Sequence, residues 1–78
     1  MKTSEKNKNW WESYDWAGSF SEGRAPVRLG EKWGHVDFAG KVTTMVIYDD
    51  VGYFSEGRAW VQLGDKWGHV DLGGKYEE

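Results

Sequence analysis

The chain has 78 residues and a formal net charge of −3, from ten Lys and Arg against thirteen Asp and Glu. It has no cysteine, which excludes a disulfide scaffold and a thiolate metal site, and its 17% aromatic content, with six Trp, is too rich for a disordered chain. No apolar run approaches the roughly 20 residues of a membrane helix. No apolar stretch follows the Lys-rich start, as a signal peptide requires, and no basic block marks a phosphate-backbone binder. The expectation is one cytoplasmic domain, 1–78, without membrane association and with nucleic acid disfavoured as a partner.

In chain order, residues 1–13 carry Trp10 and Trp11 and precede an internal repeat. Residues 20–41 read FSEGRAPVRLGEKWGHVDFAGK and residues 54–75 read FSEGRAWVQLGDKWGHVDLGGK, identical at 17 of 22 positions with an offset of 34. Upstream, Tyr14, Asp15 and Gly18 recur as Tyr48, Asp49 and Gly52. The units are 14–47 and 48–78, the second truncated. A helical reading of this period fails, because eleven Gly would interrupt almost every window at about 1 kcal/mol each relative to Ala. Period-two alternation is present instead: Ala25, Val27 and Leu29 share one face and Arg24, Pro26 and Arg28 the other, as Ala59, Val61 and Leu63 oppose Arg58, Trp60 and Gln62.

Strands are therefore expected at 24–29, 32–37 and 42–48, and the first two again at 58–63 and 66–71. Gly30-Glu31 and Gly64-Asp65 fit type II′ hairpin turns, and Gly40 and Gly74 supply left-handed residues to a longer loop. The fold class is all-β, two tandem three-stranded antiparallel meanders. Residues 49–57 read as the loop between units. Residues 9–13 align with residues 43–47, so segment 1–13 is expected to supply the second unit's missing strand and close the chain, or to pair with another copy as a homodimer.

The Lys-Trp-Gly at 32–34 and 66–68, with the flanking FSEGRA and the Gly-Lys that follows, resembles the WG (KWG) repeat of bacterial proteins. The resemblance covers almost everything after residue 13. It implies a β-rich repeat with a signature of Trp33, Gly34, Trp67, Gly68, Phe20 and Phe54, and no catalytic residues. His35 and His69 stand where that repeat commonly has Tyr or Phe.

The remaining candidates are weighed against plain structural roles. His35/Asp37 and His69/Asp71 stand at i, i+2 on strands and could hold a metal or act as an acid/base pair. The simpler reading is a ring in packing and an Asp that opens a turn, so no catalytic residue, metal or cofactor is expected. Ser21 and Ser55 lie in Ser-Glu-Gly turns without a nucleophile elbow. Trp33 and Trp67 read as core packing. Trp60 differs from its counterpart Pro26 and lies between Arg58 and Gln62, the setting of an interface anchor; packing against Trp10 or Trp11 is the alternative. Arg24 and Arg28 extend this candidate partner-binding set. The acidic residues, Asp15 and Asp49 among them, read as solvated surface.

The expected function is a small non-catalytic protein-binding module or inhibitor acting through an aromatic and Arg surface, of the kind a phage or plasmid encodes against a host system. A carbohydrate- or choline-binding repeat module is the alternative, because the Lys-Trp-Gly hairpin also looks like those of choline-binding repeats. A metal-dependent enzyme using the His-x-Asp pairs is the remote one.

Overall fold

The computed structural model describes residues 9–78. They form two four-stranded antiparallel sheets, each a simple meander. The first contains β1 (Trp16–Ala17), β2 (Ala25–Leu29), β3 (Lys32–Val36) and β4 (Val42–Tyr48); the second contains β5 (Asp50–Val51), β6 (Arg58–Leu63), β7 (Lys66–Asp71) and β8 (Tyr76–Glu77). The all-β tandem-repeat architecture read from the sequence is the one observed.

The turns follow from the glycines. Gly30 and Gly64 take φ of 65° and 63°, while Glu31 and Asp65 stay out of the left-handed region, as a type II′ turn requires. Gly40 and Gly74, at 85° and 88°, close the longer loops, and the Asp37 carboxylate accepts the backbone N–H of Ala39 and Lys41 there. Asp71 does the same for Gly73 and Lys75.

The first sheet has one strand more than the sequence placed in it, β1, and the second has two, β5 and β8. β1 and β5 are two residues long, too short for alternation to register. They are pinned at one end by the Tyr-Asp pair. The Asp15 carboxylate accepts the Gly30 N–H at 2.6 Å and Asp49 that of Gly64 at 2.7 Å, so the following residues lie along β2 and β6. These two aspartates are turn clamps rather than solvated filler. Asp49 also receives Lys32 at 2.9 Å; that bond and the Gly64 N–H hold its carboxyl below the usual range.

The expectation that the N-terminal segment completes the second unit is corrected over residues 9–13; residues 1–8 lie outside the described part. Trp10–Ser13 form a 3-10 turn, and the last strand of the second unit is its own Tyr76–Glu77. Trp10 packs on the first unit instead, beside Phe20 and under Gly40, where a side chain would overlap it. A side chain at Gly74 would overlap the Thr43 backbone in the same way. The N-terminal segment thus stands to the first unit as β4 stands to the second.

The sheets stack face on face. Ala25, Val27 and Val36 form one core, covered by Trp10, Tyr14, Ala17 and Val46. Val51, Phe54, Ala59, Val61 and Val70 form the other, joined by Tyr48 from β4 and covered by Trp33 from β3 and by Tyr76. The inner face of the second sheet therefore rests on the outer face of the first. Pro26 and His35, on the face that alternation assigns to solvent, are buried beneath the second unit.

Candidate functional site

The joint between the units defines what the outer face of a unit can do. Among the described residues it holds seven side-chain hydrogen bonds, one of them the Lys32–Asp49 pair. Ser21 Oγ donates to the Phe54 carbonyl at 2.7 Å. Arg24 donates through Nε and Nη2 to the Leu72 carbonyl at 3.1 and 2.9 Å. The Glu22 carboxylate accepts the N–H groups of Glu56 and Gly57, both at 2.8 Å. His35 Nε2 meets the Gly52 carbonyl at 2.8 Å, and its ring lies edge-on to Phe54 at 4.7 Å.

These side chains are held by local chemistry. In Ser-Glu-Gly-Arg, Glu22 and Gly23 both take positive φ, 56° and 79°, and Ser21 and Arg24 exchange backbone hydrogen bonds, which is a type I′ hairpin turn. A glutamate in that region costs on the order of 1 kcal/mol. The turn aims its carboxylate at the next unit's turn, and two charge-assisted bonds offset the strain.

His35 is 0% exposed. A carbonyl only accepts, so Nε2 carries the proton, and the buried Nδ1 has no partner. Burial, opposed by the Gly52 bond and reinforced by the Arg24 charge, pushes its pKa below 6.5. It is a neutral packing histidine. Asp37 is committed to its turn. Among the described residues no group of three His, Asp or Glu is placed to hold a metal ion.

The second unit presents the same face uncovered. Arg58, Trp60 and Gln62 on β6 stand opposite Asp71, His69 and Trp67 on β7. Trp60 and Trp67 are 45% and 56% exposed, with ring centroids 5.1 Å apart. Trp60 lies over Gly52, whose lack of a side chain leaves room for the indole. Arg58 turns back onto its own sheet and donates to His69 Nε2 at 3.1 Å.

The structure thus brings together three of the five expected partner-binding residues: Arg58, Trp60 and Gln62. Arg24 is used in the joint, and Arg28 donates to the Gly30 carbonyl of its own turn. Core packing describes Trp33, which lies against the second core and edge-on to Trp16 at 5.4 Å, but not Trp67. Trp60 packs on Trp67 rather than on Trp10 or Trp11, which pair with each other. Gly34 and Gly68 let β4 and β8 approach: a side chain at either would meet backbone oxygen at 2.5 Å. Sequence reasoning gave Trp67, His69, Ser55 and Glu56 structural roles and left them out of the partner-binding set. The signal was available, because each is the exact repeat of a residue in the joint or beneath it.

A family described as WG containing repeat matches residues 13–33 and 40–67. The second matched stretch begins before β4, the strand whose Tyr48 enters the second core. No curated protein and no solved structure matches the chain.

Proposed function

The chain belongs to the WG containing repeat family, and from that premise we propose that it is a small non-catalytic protein-binding module, acting in the cytoplasm as an adaptor or inhibitor. The observation that carries the reading is the open outer face of the second unit, with the half-exposed Trp60–Trp67 pair flanked by Arg58 and Gln62. Aromatic residues and Arg are the side chains that dominate binding energy at protein interfaces. The corresponding face of the first unit already binds protein surface, namely the second unit. No helix of the described residues is long and apolar enough to cross a membrane.

A second reading, a sugar or choline ligand, is favoured by the same exposed indole pair, which offers a flat apolar platform. The Arg58 guanidinium beside it opposes a quaternary ammonium, so sugars fit better than choline. The test is affinity capture with the purified chain as bait, compared with Trp60→Ala and Trp67→Ala baits of unchanged circular dichroism. A stoichiometric protein lost with either variant supports the module. Capture of none, with quenching of Trp fluorescence by cell-wall sugars, replaces it with the second reading.

A further inference from the structure

Besides Lys32, four side chains of the first unit form hydrogen bonds across the joint: Ser21, Glu22, Arg24 and His35. All four recur in the second unit, as Ser55, Glu56, Arg58 and His69. Among the described residues none of these reaches another unit; Arg58 and His69 are satisfied only by each other. Glu56 even keeps the same left-handed φ of 56° as Glu22, a cost that in the first unit is offset across the joint and in the second is not.

The groups that receive these side chains recur as well. The Gly52 and Phe54 carbonyls and the Glu56 and Gly57 N–H groups correspond to those of Gly18, Phe20, Glu22 and Gly23; Leu72 corresponds to Phe38. Gly18, Phe20 and Phe38 line a groove of about 530 Å³ on the first unit, together with Asp15, Trp10 and Tyr14. Phe54 is 1% exposed where it fills the joint, whereas Phe20 is 36% exposed and stacked on Phe38, itself 71% exposed, at 4.5 Å. Charge agrees with this correspondence: Lys32 meets Asp49 across the joint, and the counterparts are Lys66 at the start of β7, paired with Glu78 of its own unit at 3.7 Å, and Asp15 in the groove.

We infer that the open face of β6 and β7 is the seat for the grooved face of a second copy of this chain, so that copies associate head to tail. The inference rests on the binding-module reading and names its partner. In the contact His69 faces the Gly18 carbonyl, Arg58 leaves His69 for the Phe38 carbonyl, Ser55 donates to the Phe20 carbonyl, and Glu56 accepts the N–H groups of Glu22 and Gly23. Such a contact joins two different surfaces and repeats the unit-to-unit step, so it extends rather than closes.

Sedimentation equilibrium over a wide concentration range tests this. The expected result is an average mass that rises above the 9.0 kDa of one chain without levelling at a dimer. Trp67→Asp blocks the face and Phe38→Asp blocks the groove; both side chains are exposed, and near-ultraviolet circular dichroism checks the fold. Each variant alone is expected to stay at the mass of one chain, and an equimolar mixture to reach twice that mass and no more, because one intact face meets one intact groove. A wild-type chain that remains monomeric at every concentration overturns the inference. So does association that survives both substitutions. If the monomeric chain still captures a protein through Trp60, the module reading stands and only the identity of the partner falls.

Discussion

His35 and His69 occupy equivalent positions in sequences that are nearly identical, yet they differ in exposure, partner and tautomer. His35 is sealed between sheets and donates from Nε2 to a carbonyl of the next unit. His69 is partly exposed and accepts at Nε2 from its own sheet's Arg58. The same Ser-Glu-Gly-Arg turn is a joint in one unit and a free surface in the other. In a stacked repeat, what a residue does is decided by whether a neighbour follows, because stability comes from interfaces between units as well as from each unit alone.

That comparison can be broken most severely at the phenylalanines. Phe54→Ala empties the joint and is expected to cost about 3–5 kcal/mol, enough to unfold most of a small domain, while Phe20→Ala costs less than half as much. Urea denaturation followed by Trp fluorescence reads both. Equal losses would mean that the joint carries no more than the surface does.

Gly34→Ala comes next. Its methyl would press on the backbone oxygens of Thr44 and Met45 in the middle of β4, and a loss of about 2–4 kcal/mol is expected. Gly68→Ala presses on the short β8, which can yield, so the same denaturation series should show a smaller loss and faster amide exchange confined to residues 76 and 77.

His35→Ala is expected to cost about 1–3 kcal/mol by stripping the buried Gly52 carbonyl of its donor, and His69→Ala under about 0.5 kcal/mol in the dilute chain. The pH dependence sharpens this. The pKa of His35 is depressed in the fold, so its neutral form is favoured there. Its contribution is complete above the ordinary value of 6.5 and is lost as the pH falls below it toward the folded value. The urea midpoint of the wild type should therefore drop between pH 7 and pH 5, and the drop should shrink in His35→Ala.

The smallest effect is expected at the strained glutamates. Glu56→Gly relieves a left-handed glutamate that serves no joint and should stabilise the dilute chain by a few tenths of a kcal/mol to about 1 kcal/mol. Glu22→Gly relieves the same strain but removes two bonds across the joint, and should destabilise it. A gain in midpoint at both positions would show that the carboxylate bonds are worth less than the strain.

The repeat, its period and five of the eight strands among the described residues were legible because they depend on short-range chemistry: alternation along β2, β3, β4, β6 and β7, and glycine at turns that demand positive φ. The exposed Trp60 stood out by its mismatch with Pro26. The strands β1 and β5 were not, since two residues carry no period and their place depends on an aspartate reaching a turn fifteen residues away. Nor was the N-terminal turn: the offset gave the right counterpart, β4, but not which unit it would cover.

By itself the sequence determined a β repeat of two like units with one apolar and one polar face. Only the tertiary structure decided that the polar face of the first is an interior and that of the second a surface. The reason is that face assignment by alternation describes an isolated sheet. Once a second sheet is laid on the first, Pro26 and His35 are out of water whatever their pattern predicts, and the hydrogen bonds of Ser21, Glu22 and Arg24 acquire partners more than thirty residues away.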